Sequence, residues 1–464
     1  MNYLSCEVLV IGGGPGGYVA AIRAGQLGLD TILVEKKSVG GTCLNVGCIP
    51  SKAIIHVADE FEQAVKASKG EAHGYSVKDP VLDLVGAMEW KDGIVGQLNR
   101  GVEALLKKAG VTVINGQARM RDGKTCSIAG EKENTQIKAK FVVLAPGSEP
   151  IELEALPFGG NVISSTQALK LEELPKRLVV VGGGYIGLEL GTAFAKMGSK
   201  VTVLEATDRL LPQYDKEIGT AVTRQLKKLG VDVHLNTYAG GMNKKGTALE
   251  ATGPDSKSFT VDADKVLVTV GRKPRLDGWG LRELQLTMNN GFLAIDEECR
   301  TSMTDVFAIG DVTGEPMLAH RAMAQGEVVA ELIAGKRRTF EPAAIPAVCF
   351  TDPEVVSVGL SPEEAREAGH EVAVGKFPLP VNGRAMTLGA ESGFVRVVAR
   401  KDNELVLGIQ AVGKNVSEFA SSFALALEMG ACLEDIASTI HAHPTQGEGI
   451  QEAAMLALGH GLHI

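Results

Sequence analysis

Short apolar runs that end in glycine set the pattern of this chain. Residues 7–11 form a compact, β-branched apolar segment, the mark of a strand buried on both faces. Five glycines and a proline fill residues 12–17, a helical spacing runs from Tyr18 to about Leu27, and Gly28 stops it. Residues 31–34 read as a second strand, closed by Glu35. Helices are predicted over residues 51–66, with Ile54, Ile55, Ala58, Phe61 and Val65 on one side, and over 90–109, closed by Gly110. Strands are predicted at 111–114 and at 141–145, the latter running into Pro146-Gly147-Ser148. The opening unit then returns: strand 177–181, glycines 182–184, a helix to about Met197, strand 201–204. Gly182, Gly187, Gly198 and Glu205 follow Gly12, Gly17, Gly28 and Glu35 at one offset of 170 (182 − 12). One shared offset at four landmarks is the signature of an internal duplication. Strand-to-turn junctions recur at 265–271 and 306–311. From about Pro346 the texture changes to strands and hairpin-like turns, Asn382-Gly383 being the strongest turn signal, and then to helices. Residues 393–398 alternate as a half-exposed strand would.

Each copy of the repeat carries G-x-G-x-x-G, at Gly12, Gly14 and Gly17 and at Gly182, Gly184 and Gly187. Alone, this is only a flexible glycine turn. With a strand before it, a helix after it and an acid at the end of the next strand, it predicts a pyrophosphate on a helix N-terminus and a ribose on Glu35 or Glu205. One chain is therefore expected to bind two dinucleotides. Cys43 and Cys48 stand five apart with Gly47 between them. A bridge across so short a loop constrains little unfolded-chain entropy, so it suits chemistry better than stapling; two unrelated buried thiols are the plainer reading. Asp311 suits a sugar hydroxyl or a helix N-cap. His443 with Glu448 suits a base and its orienting carboxylate, or a solvated loop.

Composition narrows the classes. A net charge of −9 and a pI near 5.6 argue against nucleic acid as a partner. The absence of a run of about 18 apolar residues argues against a membrane span. The first residues lack the basic and apolar regions of a secretion signal. Seven cysteines in a long chain do not make a secreted disulfide framework, so a reducing cytoplasm is expected.

Several longer motifs stand in order: GGTCLNVGCIPSK (40–52), GGGYIGLE (182–189), AIGDV (308–312), MLAH (317–320) and HAHPT (441–445) with Glu448. On these the chain resembles, over nearly its whole length, the flavin-dependent pyridine nucleotide–disulfide oxidoreductases, and within them the branch that oxidises dihydrolipoamide. The resemblance implies an α/β protein with two Rossmann-like dinucleotide-binding domains, for FAD and NAD, plus a C-terminal α+β dimerisation domain. It places the FAD domain at residues 1–149 and 272–344, the NAD domain at 150–271 and the dimer interface at 345–464. It implies a homodimer whose partner is dihydrolipoamide on a lipoyl domain of an acyltransferase component. Residues 350–355 resemble the version that serves branched-chain 2-oxoacid complexes.

The same resemblance assigns roles. Cys43 and Cys48 become a redox disulfide, with Cys48 facing the flavin and Cys43 exchanging with substrate. His443 takes the thiol proton and Glu448 steadies it; Lys52 approaches the flavin and pairs with Glu189. FAD contacts fall on Gly12, Gly14, Pro15, Gly17, Glu35, Gly41, Thr42, Lys52, Ala118, Gly147, Asp311, Met317, Leu318 and Ala319. NAD contacts fall on Gly182, Gly184, Tyr185, Ile186, Gly187, Glu189, Glu205 and Gly271. The chain departs from the family's pattern at Pro146 (usually Thr), at Arg275 (commonly Asn), at Gln446-Gly447 beside the base, and at Gln410 and Ala411, where more apolar residues are usual. Glutathione reductase-like enzymes remain an alternative, but they meet an NADPH phosphate with cations, and Glu205-Ala206-Thr207 offers none. A structural docking subunit is the other alternative.

Overall fold

A computed structural model describes residues 2–129, 134–390 and 392–464. The chain divides into two compact units. The first comprises Met1–Ile54, Asp83–Ile151 and Gly271–Glu341, and the second Ile55–Leu82, Glu152–Val270 and Pro342–Ile464.

In the first unit, β1 (Asn2–Ile11), β2 (Thr31–Glu35), β3 (Thr112–Asn115), β4 (Ala118–Met120), β5 (Thr125–Ile128) and β6 (Thr135–Leu144) form one sheet in the order β3-β2-β1-β6-β5-β4, and Val306–Ala308 adds to β6. β1 is longer than its apolar run because residues 2–6 pair with Thr135–Ala139 of β6. Backbone hydrogen bonds along β6, rather than side-chain pattern, decide that extension. Four helices precede β3 in the chain: α1 (Pro15–Gln26), α2 (Gly41–Val46), α3 (Cys48–Ser68) and α4 (Leu84–Lys108). α4 begins six residues before the predicted start, where the Asp83 carboxylate accepts the Gly86 N–H at 3.0 Å as its N-cap. The helix Ala319–Ile333 packs against α1 at glycine contacts: a Cβ on Gly326 would lie 2.5 Å from the Gly16 carbonyl oxygen.

The second unit holds a parallel sheet, in the order Asp232–His234, Lys200–Leu204, Arg177–Val181, Lys265–Val268 and Val162–Ile163. Its helix Tyr185–Lys196 is displaced from α1 by 170 at both ends. The same unit holds a second sheet, antiparallel, in which Glu354–Gly359, Val406–Gly413, Phe394–Arg400 and Val372–Pro378 lie side by side. The helix Glu448–Leu458 covers one face of that sheet so closely that a Cβ on Gly375 would lie 1.8 Å from the Ala453 oxygen.

Two expectations fail here. Asn382-Gly383 is not a hairpin turn. Asn382 caps a short helix, Gly383–Thr387, its Oδ1 accepting the Ala385 N–H at 2.9 Å. Asn serves helix caps and turns by the same local hydrogen bonding, so the dipeptide alone does not separate them. The strand Phe394–Arg400 is not half-exposed, since residues 394–399 are all buried. Val395, Val397 and Ala399 join the helical layer, and Arg396, on the other face, is buried among polar partners. Among the described residues no helix is long and apolar enough to cross a membrane.

Candidate active site

Cys43 and Cys48 lie on two different helices. Gly47, with φ −144° and ψ −110°, breaks the chain between α2 and α3. That break lets side chains five apart meet, which one continuous helix forbids. Cys43 hydrogen-bonds to Cys48, and this bond is the first cause pushing the Cys43 thiol far up; burial and the negative charge of Cys48 add to it, and Lys52 pulls the other way. Of the two, Cys43 is therefore the thiol that gives up its proton less readily. Cys48 is the first residue of a 21-residue helix, where the partial positive charge of the backbone favours a thiolate. Lys52 stands one turn later.

Sequence reasoning missed what holds this hairpin of helices. Asn45 Nδ2 donates to the carbonyls of Val39 (3.0 Å) and Gly41 (2.9 Å), and Asn99 of α4 donates to Asn45 Oδ1. Asn45 sits inside the long cysteine motif, so its presence was visible but its role was not. Asn99 has no sequence signal. Tyr18 of α1 also lies near the pair: burial, then the charge of Cys43, pushes its phenol up.

The two glycine turns share one construction. Gly12 and Gly182 adopt φ of 101° and 104°, which side chains rarely enter. A Cβ on Gly17 would lie 1.8 Å from the Gly12 oxygen, and on Gly187 2.4 Å from the Gly182 oxygen. Glu35 brackets its turn by accepting the N–H groups of Gly13 (2.6 Å) and Lys37 (2.8 Å). Glu205 does the same for Gly183 (2.5 Å) and Thr207 (2.7 Å). α1 and Tyr185–Lys196 both start without a side-chain cap, at Gly14 and Gly184. Uncapped helix N–H groups beside side-chain-free backbone fit a pyrophosphate in both copies.

All the residues expected at FAD belong to the first unit. A Cβ on Gly41 would meet the Gly14 Cα at 2.5 Å, so the cysteine helix starts against the first glycine turn. Gly147, with φ +76°, has open space beside it. Asp311 is not an N-cap: it is the second residue of the short helix Gly310–Thr313, which Ile309 precedes, and it accepts from the Ser148 hydroxyl. Ser148 in turn is held by Arg272 Nε at 2.8 Å. Ala118 opens β4, Met317 donates its N–H to Glu315 (3.0 Å), and Leu318 and Ala319 open the helix Ala319–Ile333, again without a side-chain cap. Thr42 and Pro15 lie in the first turns of α2 and α1.

Of the residues expected at NAD, Gly182, Gly184, Tyr185, Ile186, Gly187, Glu189 and Glu205 lie in the second unit; Gly271 falls in the first, where its oxygen accepts the Ile151 N–H. Glu189 is buried and accepts the Phe350 N–H at 2.9 Å.

His443 and Glu448 do meet. His443 Nδ1 lies 2.8 Å from Glu448 Oε1, and Glu448 Oε2 accepts the Thr445 N–H at 2.8 Å. With Nδ1–H donating, Nε2 is left to accept a proton. The imidazole is 79% exposed and the carboxylate 25%. Burial raises the Glu448 carboxyl, but the hydrogen bonds from His443 and Thr445 outweigh it, so it sits below the usual carboxylate range. Gln446, one of the departures, is buried rather than loose in solvent, and Glu448 begins the helix Glu448–Leu458.

Comparison with known proteins agrees with this geometry. Residues 6–326 match the family model "Pyridine nucleotide-disulphide oxidoreductase", and 345–454 match its dimerisation domain. The chain is 58% identical to a dihydrolipoyl dehydrogenase of Pseudomonas aeruginosa, covering 99% of each, and 47% identical to dihydrolipoyl dehydrogenase 2 of Haloarcula marismortui, covering 98% of each. A crystal structure of LpdA from Mycobacterium tuberculosis superposes with a TM-score of 0.89 at 25% identity, covering 97% of this chain and 99% of that one. Two nucleotide turns, a hydrogen-bonded cysteine pair and full-length identity of this order make the chain a member of the pyridine nucleotide-disulphide oxidoreductase family, standing among its dihydrolipoyl dehydrogenases.

Proposed function

We propose that the protein oxidises dihydrolipoamide, carried on a lipoyl domain of an acyltransferase component, to lipoamide, with NAD⁺ as acceptor and FAD as resident cofactor. It acts as a homodimer in a reducing cytoplasm. The FAD domain is residues 1–149 with 272–344, the NAD domain 150–271, and the interface domain 345–464. The observation that carries this reading is the asymmetry of the cysteine pair: the Cys43 thiol is pushed up by its hydrogen bond to Cys48, and Cys48 opens a 21-residue helix.

In the oxidised enzyme Cys43 and Cys48 form the disulfide. His443 Nε2 takes the proton of one substrate thiol, because only a thiolate attacks a disulfide sulfur. Glu448 keeps the ring oriented and balances its new charge. The substrate sulfur bonds to Cys43, the Cys43–Cys48 bond breaks, and Cys48 leaves as a thiolate. The second substrate sulfur closes on the first and breaks its bond to Cys43, its proton passing to the departing Cys43 sulfur, and cyclic lipoamide is released. One proton and two electrons now reside on the cysteine pair, and one proton on His443. FAD supplies the route by which that electron pair reaches NAD⁺ as hydride. Lys52 adds a positive field felt at Cys43, and the N-terminal backbone of α3 favours a thiolate at Cys48. Glu205 favours NAD⁺ over NADP⁺ by accepting from a ribose hydroxyl and repelling a phosphate. The exposed His443–Glu448 pair serves the disulfide of the partner subunit, since a twofold interface is reciprocal.

Anaerobic addition of two electrons tests the reading. The yellow protein gains a long-wavelength band. Cys48→Ser removes the band and Cys43→Ser keeps it; interchangeable spectra reverse the two assignments. Mixing His443→Gln chains with Cys48→Ser chains restores activity only if the histidine works across the dimer.

A further inference from the structure

We infer that Arg396, on the antiparallel sheet of the C-terminal region, is a positioning residue for NAD: it clamps the far end of the loop that closes the second glycine turn. The inference rests on the reading of that turn as the NAD site.

The clamp is one rung of the sheet. Lys376, Arg396 and Gln410 are direct cross-strand partners on three adjacent strands, so their side chains share a face. Gln410 is fully buried. Its Oε1 accepts from Arg396 Nε at 2.9 Å, and its Nε2 donates to the Leu360 oxygen at 2.9 Å. This fixes the plane of the guanidinium. Arg396 Nη1 then reaches Glu217 Oε2 (3.1 Å) and Asp215 Oδ1 (3.3 Å), and Lys376 reaches the other oxygen of Glu217.

Asp215 is where the nucleotide loop ends. It caps the helix Lys216–Lys228 by accepting the Glu217 N–H at 2.9 Å. The ten residues from Glu205 to Tyr214 lead into it, and Leu210, Leu211 and Tyr214 among them are buried. Leu211, at φ +51°, donates its N–H to the Gly183 oxygen at 2.9 Å. The Leu210 side chain fills the space above Gly183, where an added Cβ would meet it at 2.5 Å. Thr207 and Gly183 are the two backbone donors to Glu205. Arg396 thus meets Asp215; Tyr214, its neighbour in the chain, donates its N–H to the Leu211 oxygen at 2.9 Å; and Leu211 meets Gly183, which donates to Glu205. Freeing one end lets the loop lift from the turn, and the pyrophosphate and ribose contacts loosen together.

The Arg396 side chain is only 5% exposed, and its Nη2 has no hydrogen-bond partner among the described residues. An apolar residue would avoid that cost, so orientation rather than stability is what the arginine supplies. Glu217 is 44% exposed and borders a cleft of about 750 Å³ that Lys216, Thr220, Glu363 and Arg366 also line. Salt therefore reaches the clamp.

The test uses the FAD-loaded full chain. In Arg396→Met the KM for NAD⁺ should rise about tenfold. Flavin reduction by dihydrolipoamide without nucleotide should stay within about twofold, as should flavin content. Arg396→Lys, which can meet a carboxylate but not Gln410 as well, should recover part of the KM. Glu217→Gln, at an exposed position, should show a smaller shift of the same sign and serves where Arg396→Met fails to fold. Added salt should raise the KM more steeply in the natural protein than in Glu217→Gln. An unchanged KM in both variants overturns the proposal, as does an equal loss in the nucleotide-free half-reaction. A natural protein that does not use NAD⁺ overturns instead the assignment of the second turn.

Discussion

The two glycine turns are built alike and continue differently. Their helices match at an offset of 170, their first glycines have nearly equal φ, and each acid brackets its turn through two N–H groups. Even the returning chain repeats: Gly40 donates to the Gly13 oxygen at 2.7 Å, as Leu211 does to that of Gly183. Beyond that bond the copies part. In the first, Gly40 and Gly41 lead at once into the cysteine helices, so chemistry lies next to the nucleotide. In the second, the chain is packed down with Leu210, Leu211 and Tyr214 and capped by Asp215, so the turn is a holder. Their helices are also anchored alike near their ends. Arg23 meets the buried Glu331, and Lys196, nearly buried, meets Asp59 (2.6 Å) and Asp352 (2.6 Å). A duplicated fold thus keeps its nucleotide grip and varies the segment beyond it.

The largest break of the comparison comes where the copies differ most. Cys48→Ser should lower dihydrolipoamide oxidation at least about a thousandfold, because exchange and electron storage both need that sulfur. Electron transfer from NADH to an artificial acceptor should survive, and its loss would mean the two turns are not separable.

A smaller effect separates the equivalent glycines. Gly17→Ala and Gly187→Ala each force a Cβ against a carbonyl oxygen, a cost of about 1–3 kcal/mol. The first should deplete flavin from the purified protein. The second should leave flavin bound and raise the KM for NAD⁺. Equal flavin content in both variants would contradict the assignment of the two sites.

Glu205→Gln should lower the preference for NAD⁺ over NADP⁺ by about tenfold, since the neutral amide no longer repels a phosphate. Glu35→Gln should leave that ratio unchanged. Ratios of kcat/KM decide it.

The smallest effect appears only in acid. Hydrogen bonds from Arg23 and Lys336 hold Glu331 at about 2, against an ordinary 4.5. Its folded value is depressed, so its stabilisation is complete above about 4.5 and lost as pH falls toward about 2. Denaturant unfolding of Glu331→Gln should show a shallower loss of stability across that window. Lys196 has the opposite sign. Burial works against its charge, but Asp352 and Asp59 outweigh that and raise it, so its contribution holds at neutral pH and fades only in strong alkali. Lys196→Met should therefore leave the acid window untouched.

Much of the site was legible in the residues themselves. The duplication, both acids, the cysteine motif and the His443–Glu448 spacing depend on local order, and local order is written in sequence. The strand 394–399 misleads because alternation reports side-chain polarity, and Arg396 looks solvent-facing until its partners 181 and 179 residues away are known. Gln410 had no derivable purpose for the same reason: Arg396 lies only 14 residues away, but strand pairing had to bring the two side chains together. Asn382 could serve a turn or a cap, and the helical path of residues 383–387 made the choice.

The chain by itself determined where the backbone must be glycine, where two thiols lie within reach, and which acids end the nucleotide strands. These are short-range constraints, satisfied within a few residues. Only the tertiary structure decided that the Cys43 thiol is pushed up by its bond to Cys48, that Asn99 anchors Asn45, and that Asp215 ends a clamped loop. Those outcomes depend on burial and on hydrogen bonds between distant segments, and such terms exist only once the segments have met.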